Sequence, residues 1–141
     1  MALKTPQQYV ESLRDGRVTF WDGENISDIT KFPRFRVPIA LTAEDYKYDD
    51  PVLGELRRYK TEDGSEAHRI YQIPRNTEEL NKRVELLAHT SIGTAVSSVF
   101  MALMSVKDQV AAVNPQYGEN IERMYRYCRD NDLRGAEVIT D

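Results

Sequence analysis

A single cysteine, Cys128, in a chain of 141 residues excludes an internal disulfide and any multi-cysteine metal or iron–sulfur site within the chain. One thiol on a helix is a packing group first. The histidines, His68 and His89, lie far apart, and neither stands at a metal-ligand spacing such as His-x-x-x-His, so ordinary strand-face and helix-face positions account for them. Nothing corresponds to a phosphate-cradling glycine loop or a nucleophile elbow. The carboxylates fall in helix caps and on charged faces, with no paired general acid and base among them. Basic charge is not in excess: the net charge is -4 with the signs interspersed, which argues against a nucleic-acid partner. No apolar run reaches the roughly 18 to 20 residues of a membrane span. Met1-Ala2-Leu3-Lys4 leads straight into a capped helix without the apolar core of a signal peptide. A cytoplasmic protein with no membrane partner is the expectation.

What the chain has is helical patterning. With 40% hydrophobic residues over this length, one domain spanning 1–141 is expected, large enough for a real core. Residues 1–75 read as a helix, hairpins and an irregular segment, and 76–141 as core helices. The organising stretch runs from Asn76 to Val113, a helical hairpin or one long interrupted helix. Asn76 is a good N-cap, with Glu79 three residues on and Glu78-Glu79 placing negative charge in the first turn. Leu80, Val84, Leu87 and His89 mark a face. From Ile92 to Val106 almost nothing is charged and the polar residues are small: Gly93, Thr94, Ser97, Ser98, Ser105. Such a helix, apolar all round, is expected to be buried all round, with its small residues admitting another backbone or a flat ligand.

The flanking elements carry their own signals. Thr5-Pro6-Gln7-Gln8 predicts a capping box with proline at the first helical position, and Gly16 a C-terminal cap. Val18 to Trp21 and Glu24 to Ile26 predict a hairpin about Asp22-Gly23. Pro33 and Pro38 should break up helix between Ser27 and Asp50, where Thr42 to Asp45 could cap a short one ending near Tyr48. A second hairpin is expected between Arg57 and Ile73 with its turn at Asp63-Gly64, Ala67 to Ile73 being the better strand. Asn114-Pro115 opens a last helix whose apolar positions are Ile121, Met124, Tyr125 and Cys128, with Glu122 and Arg126 able to pair across a turn. Val138-Ile139 reads as extended.

Two stretches resemble the 4-hydroxyphenylacetate 3-monooxygenase and 4-hydroxybutyryl-CoA dehydratase family. They are TPQQYVESLRDGRVTFWDGENISDITKFPRFR, Thr5 to Arg36, and YGENIERMYRYCRDNDLRGAEVITD, Tyr117 to Asp141. The first looks like the family's opening helix, short strand pair and Phe-Arg; the second like a later helix, with Asn-Asp-Leu leading toward a flavin-binding β-domain. The resemblance covers nearly the whole chain. It implies a mainly α domain, the helical N-terminal domain of an acyl-CoA-dehydrogenase-like fold with one or two small β-hairpins. Members are several-fold longer and assemble as tetramers, so homo-oligomerisation is implied. The flavin-binding β-domain and C-terminal bundle are absent from this stretch and would be partners in cis or on a separate chain.

The resemblance also implies FAD, or FMN, in the complete assembly, none held tightly by this chain alone. The chain would then be inactive by itself. Monooxygenase members place an arginine and a tyrosine one helical turn apart on the central helix; between Gly93 and Met104 this sequence has neither. Their histidine near the end of the domain falls here on Glu137. Dehydratase members carry two cysteines on the central helix, whereas Cys128 lies on the next one. No catalytic residue and no metal ligand is therefore assigned. Thr94, Ser97, Ser98, Met101 and Met104 are expected to form one wall of the substrate and flavin pocket, with Glu137 beside them. Ser97 and Ser98 either bond back to the preceding turn's carbonyl or point at a flavin or a substrate carbonyl. A CoA-ester enzyme and a non-catalytic assembly domain whose apolar helix docks on a partner are the alternatives.

Overall fold

The computed structural model describes residues 3–136, and over these the chain is mainly helical with two small antiparallel hairpins. Helix α1 (Pro6–Ser12) begins as its sequence predicts. The Thr5 hydroxyl accepts from the Gln8 N–H at 3.2 Å while the Gln8 side chain accepts from the Thr5 N–H at 2.8 Å, so two end donors are satisfied reciprocally. Gly16 is not the cap: the helix ends at Leu13, and Gly16 turns the following loop at φ +80°. Strands β1 (Thr19–Trp21) and β2 (Glu24–Ile26) pair with Phe20 opposite Asn25. Asp22 and Gly23 both take positive φ, as a tight hairpin turn demands. Trp21 leans on Phe32 and Phe35, ring centroids 6.1 and 5.5 Å away, which anchors an otherwise exposed arm.

The prolines do not break the next segment. A 3-10 turn at Pro33–Phe35 runs into α2 (Arg36–Glu44), which contains Pro38. Pro38 sits in the first turn, where its missing N–H would have had no intrahelical acceptor. Thr42 and Asp45 therefore close a helix rather than open one. Helix α3 (Gly54–Arg57) feeds β3 (Arg58–Lys60), which pairs with β4 (Glu66–His68) about the predicted Asp63-Gly64 turn. The second strand is shorter than its sequence suggests. At His68 the chain tightens into a buried 3-10 turn, Arg69–Tyr71, capped by the His68 Nδ1 accepting from the Ile70 N–H at 3.1 Å.

Asn76 caps α4 (Thr77–Ala88), its Oδ1 accepting from the Glu79 N–H at 2.9 Å. The face marked by Leu80, Val84 and Leu87 is exposed; Leu86 is the side chain α4 buries. Next come α5 (Ile92–Ala95), a 3-10 turn at Val96–Ser98, α6 (Val99–Ser105) and α7 (Lys107–Val113), the last bent by 52° from the run before it. The stretch is thus neither one helix nor buried all round. Thr94 and Ser97 are wholly buried while Ile92 is 83% exposed. Helix α8 (Pro115–Asp130) packs along α7 and α6, close enough at Gly118 that a Cβ there would lie 2.7 Å from that of Ala111. Among the described residues no single helix is long and apolar enough to cross a membrane.

The core lies where the Arg69–Tyr71 turn meets α4 and α8: Ile70, Tyr71, Leu86, Tyr125 and Cys128, flanked by Phe100, Met101, Met104 and Leu133. Each large apolar side chain removed from water there contributes about 1.5 to 3 kcal/mol. The two tyrosine hydroxyls are not stranded. Tyr71 donates to the Leu133 carbonyl at 2.8 Å and Tyr125 to the Tyr71 carbonyl at 2.5 Å, which ties the end of α8 to the core.

Candidate functional site

The run α5 to α6 has two unlike faces, and the expected site residues divide between them. Thr94 and Ser97 point inward and are spent on the chain itself. The Thr94 hydroxyl accepts from Arg134 Nε at 3.0 Å, and the Ser97 hydroxyl accepts from the Gly135 N–H at 2.9 Å. Gly93 lies against α2, where a Cβ would stand 2.7 Å from the Thr42 hydroxyl. The small residues do let a neighbour approach, and that neighbour is the chain itself: the Thr42 and Arg134 side chains and the Gly135 backbone. Back-bonding of a serine to the preceding turn is seen at Ser105, whose hydroxyl donates to the Ala102 carbonyl at 2.7 Å. Ser98, Met101 and Met104 are half-buried, the two methionines packed at the edge of the core. They line an open groove of about 480 Å³ with Ile73, Pro74 and Arg83. Glu137 lies outside the described residues.

The inward face is organised by the end of α8, whose Asn-Asp-Leu the sequence marked only as part of the resemblance and not for any role in the fold. The Asp132 N–H bonds to the Arg129 carbonyl and the Leu133 N–H to the Cys128 carbonyl, at 3.2 and 3.0 Å. That is the Schellman pattern, with Asp132 in the left-handed position at φ 47° where glycine is usual. The carboxylate is what glycine could not supply. It accepts from the Lys4 N–H at 3.0 Å, from the Tyr48 hydroxyl at 2.9 Å and from Arg134 Nη1 at 2.8 Å. Arg134 also donates to the Tyr48 oxygen at 3.2 Å and lies 4.1 Å over the Tyr46 ring. With 6% and 3% of the two side chains exposed, this is a buried ion pair with its hydrogen bonds filled. The signal was Asn131-Asp132-Leu133 directly after an amphipathic helix, a C-cap followed by an apolar residue.

Electrostatics fit that picture. Burial opposes the charge on Arg134, but Tyr48 and Asp132 outweigh it and hold the guanidinium above its ordinary value. Burial raises the Tyr46 and Tyr48 hydroxyls well above the usual phenol range, so both stay neutral donors. His68 beside them, ring centroid 5.8 Å from that of Tyr48, is held well below its usual value, by burial first and then by Arg134, Arg57 and Arg69. Its Nε2 has no partner among the described residues. A fully buried neutral imidazole without a carboxylate neighbour is a packing group, not a general base.

The outward groove is different in kind. Its floor is thioether and aliphatic, its one charged lining residue is Arg83, and its hydroxyls are Ser98 and Ser105. Burial lowers the Arg83 pKa. No group of three or more His, Cys, Asp or Glu side chains that could hold a metal occurs among the described residues. The groove can seat and orient a flat, partly apolar molecule; it has no group of its own to move protons or electrons.

Comparison with known proteins matches residues 5–141 to the family described as 4-hydroxyphenylacetate 3-hydroxylase N terminal. The oxygenase component of 4-hydroxyphenylacetate 3-monooxygenase from Thermus thermophilus is 28% identical over 98% of this chain and 30% of its own length. A solved structure of such an oxygenase component, complexed with FAD, superimposes with a TM-score of 0.76 at 29% identity over 93% of this chain and 29% of its own. An archaeal 4-hydroxybutyryl-CoA dehydratase from N. maritimus shares the fold, with a TM-score of 0.75 at 21% identity over 93% of this chain and 28% of its own. The chain therefore spans about 30% of the length of such relatives.

Proposed function

From the premise that the chain belongs to the 4-hydroxyphenylacetate 3-hydroxylase N-terminal family, we propose that it is the N-terminal domain of a flavin-dependent oxidoreductase acting on a phenolic substrate. In this reading the outward face of α6 forms one wall of the pocket. The observation that carries it is the division of α5 to α6: Thr94 and Ser97 lock one face to the exit segment, leaving Ser98, Met101 and Met104 along an open groove. The division narrows the expected wall to those three residues, with Thr94 and Ser97 behind it as support.

The groove fits the edge of a flat ring. Thioether sulfurs make favourable contacts with aromatic rings, and Ser98 offers a hydroxyl at the rim. A flavin would be held by the domains that complete the enzyme, whether in cis or on another chain. FAD, when bound, supplies the redox chemistry; FMN would supply the same. This chain's residues orient the substrate ring and exclude water. The lone chain is inactive in this reading, and the complete enzyme is a cytoplasmic homo-oligomer.

Replacing Ser98 with tryptophan in the complete flavin-loaded enzyme tests the wall. Turnover should fall by about two orders of magnitude, the cost of misplacing a reacting group by about an ångström, with the unfolding midpoint unmoved. Unchanged kinetics would remove Ser98 from the site. Loss of assembly with kinetics intact in the remaining oligomer would instead support the assembly-domain alternative.

A further inference from the structure

The arm formed by β1 and β2 is covered on one face only. A two-stranded hairpin is marginal by itself, and successive side chains of a strand point to opposite faces. Trp21 turns to Phe32 and Phe35, whereas Phe20, on the other face, is 64% exposed and Val18 before it is exposed too. Helix α2, which follows directly on Phe35, carries Val37 and Leu41 one turn apart on one side, and Val37 is 61% exposed. Charge divides along the same two elements. The tip of the arm is acidic, with Asp22 and Glu24, and the start of α2 is basic, with Arg34 and Arg36. Arg14, Arg17 and Lys31, close in sequence, have carboxylate partners in Glu11, Asp15 and Asp28; the charges of tip and root enter no ion pair among the described residues.

The arm stands away from the segment that leads toward the rest of the enzyme. That segment, Arg134 and Gly135, packs on Thr94 and Ser97. The C-terminal end of α2 meets the same region, with Thr42 against Gly93. Phe35, at the other end of α2, is therefore about 10 Å farther off at 1.5 Å per residue. We propose that the arm is a reciprocal contact between two copies of this chain in the complete enzyme. Each hairpin lays Phe20 on Val37 and Leu41 of the partner subunit and its acidic tip on Arg34 and Arg36 of the partner subunit. A surface that carries both signs in separate places is self-complementary, as a two-fold contact made twice over requires. Apolar burial supplies the attraction, and the charges set which surfaces meet. The inference rests on reading the complete enzyme as a homo-oligomer, and it adds the surface through which its copies meet.

The test is a cross-link between chains of the complete flavin-loaded enzyme. One chain carries Asn25→Cys, directly across the hairpin from Phe20, and the other Ala40→Cys on α2, so that the apolar contacts stay intact. The two are co-expressed and treated with a short bismaleimide; the native Cys128 is buried. A cross-linked pair should form in the co-expressed enzyme and in neither variant alone. Adding Asp22→Lys and Glu24→Lys to the Asn25→Cys chain should cut the yield about tenfold or more, because like charges then face each other. Adding Arg34→Glu and Arg36→Glu to the second chain should restore it, a rescue between chains that a merely misfolded variant cannot show. Absence of the cross-link in an enzyme that sediments as an oligomer overturns the arm contact and leaves the homo-oligomer standing. A monomer by sedimentation overturns both. A cross-link whose yield ignores both sets of charge changes overturns the pairing of tip with root.

Discussion

Residues 94 and 97 and residues 98, 101 and 104 belong to one short helical run, yet they serve opposite ends. The first pair is buried and hydrogen-bonded to Arg134 and Gly135; the second set lines an open groove. The 3-10 turn at Val96–Ser98 holds Ser97 and Ser98 side by side and changes the angle at which successive side chains leave the axis. Small hydroxyl residues face inward because only they fit against α2 and the exit segment. The larger, softer Met101 and Met104 sit between the core and the groove.

The difference can be broken from the rigid side first. Arg134→Met strips the counter-ion from a buried Asp132 and should cost about 3 to 5 kcal/mol of stability, read as a drop in the urea midpoint. Asp132→Gly suits the left-handed backbone but removes the same pair, so it should be destabilising even though glycine is the usual residue there. Next in size is a pH effect confined to this face. His68 is neutral when folded and titrates near its ordinary value when unfolded, so below about pH 6.5 the unfolded chain binds a proton that the folded chain does not. Stability should be full above that pH and fall by up to about 1.4 kcal/mol per pH unit below it. Urea midpoints at pH 7 and pH 5 measure this, and His68→Phe should flatten the slope.

Smaller effects sharpen the comparison. Ser97→Ala leaves the Gly135 N–H without an acceptor and should cost about 1 to 3 kcal/mol, and hydrogen exchange at Gly135 should speed up more than in the core around Tyr71. Ser98→Trp, one residue on, should change stability by no more than about 0.5 kcal/mol while blocking the groove. Equal costs at 97 and 98 would mean that the two faces are not distinct.

Much of the fold was legible in the sequence because its signals are local. The caps at Thr5, Asn76 and Asn114 and the Asp-Gly turns of both hairpins each depend on a few neighbouring residues, and each formed where expected. What failed depended on tertiary context. Pro38 was read as a breaker because its place in the first turn of α2 was not visible. The apolar run from Ile92 to Val106 suggested burial, yet composition alone does not say which side of a kinked helix finds a partner. Thr94 and Ser97, expected to line a pocket, are turned to the chain itself, since period and type cannot show that Arg134 and Gly135 return to them. The same long-range return hid the Asp132–Arg134 pair, and Arg83 was passed over because an arginine on a helix looks solvated until its surroundings are seen.

Methionine oxidation footprinting addresses the central claim, that the outward face of α6 is a pocket wall, most directly. The chain alone, the flavin-loaded assembly, and that assembly with phenolic substrate are exposed to dilute peroxide, and each methionine is quantified. The account predicts that Met101 and Met104 are protected on assembly and further by substrate, while Met124 on α8, 51% exposed and away from the groove, does not respond to substrate. Oxidation of Met101 and Met104 at the same rate in all three states would contradict it.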